Sequence, residues 1–236
     1  MSNNTCAIEL QNVSLSYRTR LAFFKHAEFK ALDQVSFTVK KGETFGIIGN
    51  NGSGKSTLLK VLAGIYTPDG GQVVRHCKTA SLLSLGLGFN NELTGRENAV
   101  VSAMLNGASK QHAMDFIKEV IEFSELSDSI DKPVKTYSSG MRARLGFSVA
   151  LHNKVDLLLI DEVLGVGDSE FRIKAEAAML SKLNSEQTVI FVSHSAGQVK
   201  KLCQNSIWLD KGRVRASGNT NDVFVQYQAE KRSKTN

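Results

Sequence analysis

This sequence predicts an α/β fold built on a buried, largely parallel sheet, and three stretches carry the prediction. Phe45-Gly46-Ile47-Ile48, Leu157-Leu158-Leu159-Ile160 and Thr188-Val189-Ile190-Phe191-Val192-Ser193 are short apolar runs of the kind a strand buried on both faces requires. Between the first two, the apolar residues recur at helical spacing over much of 90–155, which places a helical insert inside the α/β chain.

The 236 residues suffice for one large domain or two small ones, and 42% apolar with 22% charged residues is ordinary for a globular protein. No apolar run approaches the roughly 20 residues needed to span a bilayer, and Met1 to Ala7 is polar, unlike a signal peptide. The expectation is a cytoplasmic protein that is not itself a channel. Cys6, Cys77 and Cys203 show no CxxC spacing, and their odd count argues against a disulfide framework, so they read as reduced and structural. The net charge of +6 suits an anionic ligand or surface, but it is spread along the chain and does not by itself argue for nucleic-acid binding.

Ala7 to Ser16 alternates apolar and polar as a strand, closed by Tyr17, an aromatic that offers either a stacking face or a packing contact on the sheet. Arg18 to Lys30 follows, with Leu21-Ala22-Phe23-Phe24 among basic residues. It reads either as a loop or short helix packed on its own domain, or as a segment facing a headgroup interface or membrane partner. Ala31 to Lys40 is a second strand with Val35, Phe37 and Val39 on one face, and Lys41-Gly42-Glu43 turns into the apolar run at 45–48.

That run leads into Gly49-Asn50-Asn51-Gly52-Ser53-Gly54-Lys55-Ser56-Thr57, a full match to GxxxxGK[ST] between a strand and a helix. In such a loop the glycines let backbone N–H groups turn inward around phosphate oxygens, and the helix beginning near Lys55 aims its positive end at the same anion. Lys55 would reach the β and γ phosphates, the Ser56 hydroxyl would ligate Mg²⁺, and Thr57 can donate to the α phosphate.

Downstream, Tyr66 to Gly71 is a turn, Gln72 to Arg75 begins a strand, and Thr79 to Leu87 suggests one more. Thr94 with Glu97 forms a capping-box pattern ahead of a helix over 99–105. Lys110 to Phe123 reads as an amphipathic helix with Met114, Ile117, Val120 and Ile121 on its apolar stripe. The run 157–160 ends in Asp161-Glu162, at the carboxyl end of a strand where α/β sheets place ligands. Asp161 there can hold Mg²⁺ through water, and Glu162 can polarise a water in line with the γ phosphate. The run 188–193 ends in His194, Ser206 to Val214 looks like a hairpin, and Asp222 to Lys231 forms a final helix.

At Tyr137-Ser138-Ser139-Gly140-Met141 these pieces combine, because the stretch resembles the LSGGQ signature of ABC-transporter ATPases and stands some twenty residues before the Asp-Glu strand. The resemblance implies a P-loop NTPase of ABC type, with a RecA-like core, an N-terminal antiparallel β subdomain and a helical subdomain. Residues 1–236 would form a single domain, with the helical subdomain at about 90–155 and a basic, aromatic insertion at 18–30. It further implies a head-to-tail homodimer around two MgATP, each nucleotide held between one P-loop and the partner's signature. Ser138, Ser139, Gly140 and Met141 would then contact ATP in trans, at the start of a helix over Met141 to His152. By the same resemblance Asp168 matches the D-loop aspartate that crosses the interface, His194 the switch histidine that contacts the γ phosphate, and Tyr17 the adenine-stacking aromatic. Glu162 would be the base.

The spellings Tyr-Ser-Ser-Gly-Met, Leu-Thr-Gly-Arg-Glu-Asn at 93–98 and Asp-Glu-Val-Leu-Gly-Val-Gly-Asp at 161–168 are similar to those of the ATPases that export bacterial O-antigen, capsule or teichoic acid. Those proteins are separate subunits paired with a membrane permease dimer at the cytoplasmic face of the cell membrane, and their substrate is a lipid-linked polysaccharide. The segment 18–30 is similar to an insertion they direct towards the membrane. Two features depart from the pattern. Ser84 in Leu83-Ser84-Leu85-Gly86 stands where this subfamily tends to carry glutamate, leaving it at most a weak or water-mediated Mg²⁺ ligand. The sequence ends at Asn236 without the carbohydrate-binding domain of some O-antigen members, so the expectation is that this subunit does not select the glycan. The alternatives are the ATPase subunit of another ABC transporter, importers included, or a soluble ABC ATPase acting on DNA or ribosomes. A single cassette without coiled coils or zinc motifs speaks against the latter, and no nucleic-acid partner is expected.

Overall fold

The computed structural model describes residues 6–22, 25–83, 89–105, 108–153, 155–161, 168–183, 187–193 and 195–233. In chain order its elements are β1 (Cys6–Ala22), β2 (Lys25–Lys40), β3 (Thr44–Ile48), α1 (Lys55–Leu62), β4 (Gly70–Arg75), β5 (Ala80–Leu83), α2 (Gly95–Leu105), α3 (Lys110–Ser124), α4 (Ser139–His152), β6 (Leu157–Asp161), α5 (Ser169–Leu183), β7 (Thr188–Ser193), α6 (Ala196–Leu202), β8 (Asn205–Asp210), β9 (Arg213–Asn219) and α7 (Thr220–Ser233). The chain forms two compact units, residues 1–78 with 186–236, and residues 79–185.

In the first unit, β1 lies between β2 and β4 in an antiparallel sheet, with Leu10 opposite both Phe37 and Val73. Ile8 and Leu10 are buried on β1 and, after a register shift between Leu10 and Val13, so are Val13 and Leu15, while Val35, Phe37 and Val39 alternate inward on β2. Here the structure differs from the loop or short helix expected over 18–30. β1 and β2 run on as one hairpin, pairing Tyr17 with Phe29 and Arg18 with Glu28. An aromatic pair and an opposite-charge pair facing each other across two antiparallel strands sustain the ladder where the sequence looked merely basic. The hairpin tip, Phe23 and Phe24, lies outside the described residues.

β3 is the buried centre of this unit's parallel strands. Phe45 pairs with Ile190 of β7 on one side and with Asn205 of β8 on the other. β9 returns antiparallel along β8 through a turn at Lys211 and Gly212, both with positive φ, as a tight hairpin turn demands. Helix α1 leaves the carboxyl end of β3, so the strand–loop–helix order read from the sequence is the order observed.

In the second unit, β5 pairs parallel with β6, matching Ala80 to Leu157. The capping box forms in full: Thr94 N donates to Glu97 Oε2 at 2.8 Å, and Glu97 N donates to Thr94 Oγ1 at 3.1 Å. Helices α2, α3 and α4 bury Ala99, Ile117, Val120, Leu145 and Val149 around Tyr137. Ile117 and Val120 hold their expected inward places, whereas Met114 is 44% exposed and Ala113 is buried instead. The stripe on α3 is thus rotated towards its smaller residue.

Candidate functional site

The phosphate-binding loop is set by its backbone. Gly54 caps α1 with φ 105° and carries no side chain over the first turn, and a helix N-terminus favours an anion. Gly52, φ 74°, borders open space. Lys55 is buried and folds back across the loop, its Nζ donating to Gly49 O and Asn50 O, each at 2.8 Å. Ser53 is buried, and its Oγ has no hydrogen-bond partner among the described residues. The Ser56 side chain is exposed beside Lys55, which leaves a hydroxyl oxygen at the mouth of the loop. A helix N-terminus, an ammonium and an exposed hydroxyl fit a polyphosphate with a hard divalent cation.

Tyr17 OH stands 3.1 Å from Thr57 Oγ1, and the Tyr17 ring meets Tyr66 edge-on at 6.1 Å between centroids. Thr57 and Tyr17, singled out for different parts of a nucleotide, are therefore brought together at the start of α1. The ring is 36% exposed.

Sequence reasoning missed what braces the loop from behind. Gly212 N donates to Ser53 O at 2.9 Å, and Asp33 N donates to Gly212 O at 2.8 Å. Tyr227 OH of α7 donates to Asn50 Oδ1 at 3.2 Å while its ring packs edge-on against Trp208. Asp33 is ion-paired with Lys30 and Arg213, and these two cations hold its carboxyl below the usual carboxylate range. The Lys-Gly turn at 211–212 was readable as a hairpin, but nothing in the sequence tied it to the phosphate loop.

In the second unit Ser138 is the N-cap of α4, its Oγ accepting from Met141 N at 3.1 Å, so the helix begins at Ser139, two residues before the expected Met141. Ser138 and Ser139 are exposed and Gly140 is half-buried, while the Met141 side chain packs against the helical core. Tyr137, directly before them, is buried and donates to Ser129 O at 2.6 Å, anchoring the turn that presents the two serines. Asp168 caps α5, its Oδ1 accepting from Phe171 N at 2.9 Å, and Asp161 ends β6 half-buried.

Residues 32–165 match the family model described as ABC transporter. The chain belongs to the ABC transporter family. The cassette is 41% identical over 216 residues to the O-antigen export system ATP-binding protein RfbB of Klebsiella pneumoniae, covering 91% of this chain and 88% of that one. It is 39% identical to the protein of the same name in Myxococcus xanthus, covering 97% of this chain and 57% of the relative. Against the teichoic acids export ATP-binding protein TagH of Enterococcus faecalis, identity is 46%, over 85% of this chain and 45% of the relative. The cassette thus spans about half the length of the last two and most of the first. A solved dimeric ATP-binding cassette in a post-hydrolysis state with ADP and Pi shares its fold, with a TM-score of 0.73, 22% identity, and coverage of 90% and 98%.

Glu162, His194 and Ser84 lie outside the described residues of the cassette. Two further residues were invisible in the sequence. Arg144, one turn into α4, forms ion pairs with both Glu125 and Asp168, and Glu125 holds a left-handed φ of 57° at the end of α3. No helix among the described residues is long and apolar enough to cross a membrane.

Proposed function

We propose that the chain is the ATP-binding and ATP-hydrolysing subunit of an ABC exporter that drives a lipid-linked surface polysaccharide, such as O-antigen, capsule or teichoic acid, across the cytoplasmic membrane. The observation that carries this is the 41% identity along nearly the whole chain to an O-antigen export ATP-binding protein, joined to a phosphate loop with the lysine, hydroxyl and glycine-capped helix start that nucleotide binding needs. The subunit sits peripherally on the cytoplasmic face, bound to a multi-span permease dimer.

In this reading Gly49 to Thr57 hold the phosphates, Tyr17 stacks on the adenine, and the exposed Ser56 hydroxyl with Asp161 and, weakly, Ser84 hold Mg²⁺. A cation held there would supply charge neutralisation to the phosphoryl group. Lys55 stabilises the β and γ oxygens as a point charge, His194 contacts the γ phosphate, and Glu162 takes the proton from the attacking water. Ser138, Ser139 and Gly140 stand at the start of a helix whose dipole favours an anion, and they close over the nucleotide of a second copy. Met141 contributes there through its backbone, and Asp168 crosses the interface.

Two measurements test this. Glu162→Gln is expected to bind MgATP and form a stable dimer while hydrolysing at least about a hundredfold more slowly; wild-type turnover in that variant removes Glu162 from its role. Purified with its permease in lipid, the wild-type subunit is expected to hydrolyse ATP faster when a lipid-linked glycan is added. Stimulation by an unrelated solute alone points to a different transporter.

A further inference from the structure

Arg144 lies in the middle of a charge network confined to the second unit. Its Nη1 donates to Glu125 Oε2 at 3.2 Å, and its Nη2 donates to Asp168 Oδ2. The guanidinium also lies over the Phe171 ring, 5.1 Å from the centroid. Glu125 is shared: its other oxygen accepts from Lys174 Nζ at 2.8 Å, and Lys174 in turn donates to Phe123 O at 3.0 Å. The network ties the end of α3, the first half of α4 and the start of α5 into one block.

Three features set it apart from a scatter of surface ion pairs. The Arg144 side chain is only 19% exposed, whereas Asp168 keeps 55% of its side-chain surface open. Both Asp168 oxygens are committed, Oδ1 to the Phe171 amide and Oδ2 to Arg144, so the carboxylate cannot rotate and the residue ahead of α5 is fixed in direction. Glu125 occupies a left-handed conformation, φ 57°, that normally favours glycine or asparagine, and it is the residue that joins the two cations.

We infer that Arg144 is a positioning residue for the D-loop aspartate: by bridging Glu125 and Asp168 it locks the signature-bearing helix to Asp168 at the head of α5, so that the signature serines and this carboxylate meet the partner in a fixed relation. The inference rests on the proposed reading of the chain as a nucleotide-sandwich dimer. Arg144 itself touches no nucleotide in this scheme. The fork geometry of arginine is required, because one cation must satisfy two carboxylates on separate elements. The lowered proton affinity of Asp168, caused first by the Phe171 amide and then by Arg144, fits a carboxylate that stays ionised while held in place.

The test has two arms. In the isolated subunit, amide exchange over Ser169 to Arg172 is expected to quicken by about fivefold or more in Arg144→Ala, and by less in Arg144→Lys. In the Glu162→Gln background with MgATP, Arg144→Ala is expected to raise the protein concentration needed for dimerisation by roughly tenfold to a hundredfold while nucleotide affinity of the monomer stays within about threefold. Asp168→Asn is expected to cause a similar loss, and the combination no more than either alone. Unchanged exchange at 169–172, or losses that simply multiply, overturns the inference. Failure of the Glu162→Gln parent to dimerise counts instead against the proposed function, and the exchange arm still decides the positioning role. If Arg144→Ala does not fold, Glu125→Gln carries the same exchange test with a smaller expected increase.

Discussion

A Cβ added to Gly54 would stand 2.6 Å from the carbonyl oxygen of Ala31, in the strand that passes behind the phosphate loop. The loop and β2 are in backbone contact at that point, and the φ of 105° is one that L side chains rarely adopt. Gly54→Ala is therefore expected to destabilise the protein by about 1–3 kcal/mol and to weaken nucleotide binding at least tenfold, since the loop must open to relieve both strains. Thermal melts with and without MgATP check this; an alanine variant that is stabilised by nucleotide as the wild type is would contradict it.

The two roles assigned to Tyr17 separate by substitution. Tyr17→Phe loses only the contact with Thr57 Oγ1 and keeps the ring, so nucleotide affinity should change by no more than about twofold. Tyr17→Ala removes the ring, and base–aromatic stacking worth about 1–3 kcal/mol predicts a loss of roughly fivefold to a hundredfold. Titration with a fluorescent ATP analogue distinguishes them, and equal losses would mean that the hydroxyl, not the ring, matters.

In the helical unit, a Cβ on Gly95 would meet Tyr137 Oη at 2.4 Å and Ile130 Cδ1 at 3.1 Å. Gly95→Ala should cost about 1–3 kcal/mol by overpacking. Adding Tyr137→Phe removes the nearest clashing atom, so the double variant should recover part of that loss even though Tyr137→Phe alone strands the Ser129 carbonyl. Additive losses in a double-mutant cycle would refute the packing account.

Acid should unfold this unit through its caps. The backbone and hydroxyl of Thr94 lower the pKa of Glu97 from its ordinary 4.5, and Arg96 lowers that of Asp131 from its ordinary 3.8. A depressed folded-state pKa adds stability that is fully present above the unfolded value and fades as pH falls through the folded one. The melting temperature should hold down to about pH 5 and then drop. Thr94→Ala should lower it by about 2–4 °C at neutral pH and by progressively less as the pH falls through the folded-state value of Glu97, where the carboxyl takes up its proton and stops accepting from Thr94. A difference that grows on acidification would reverse the assignment.

What the sequence revealed was local chemistry. The phosphate loop, the capping box at Thr94 and Glu97, the buried runs at 45–48, 157–160 and 188–193, and the hairpin into β9 each announce themselves within a few residues, because period, turn and cap are short-range properties. The hairpin over 17–30 was hidden because its support is across the strands, Tyr17 to Phe29 and Arg18 to Glu28. Asp168 could be singled out by its motif, whereas Arg144, which holds it, sits among ordinary helix residues and gains meaning only from the folded position of Glu125. The same holds for Tyr227, whose contact with Asn50 spans 177 residues.

The bracing of the phosphate loop by the turn at Gly212 and by Tyr227 has a consequence for biosynthesis. Glycines and lysine of the loop leave the ribosome early, yet the amide that fixes Ser53 and the phenol that holds Asn50 come from the last quarter of the sequence. At a synthesis rate of about 5–20 residues per second, a nascent chain spends roughly ten seconds or more with its phosphate loop made but unsupported. The contacts that brace the loop are therefore completed only once the carboxyl-terminal hairpin and helix have been made.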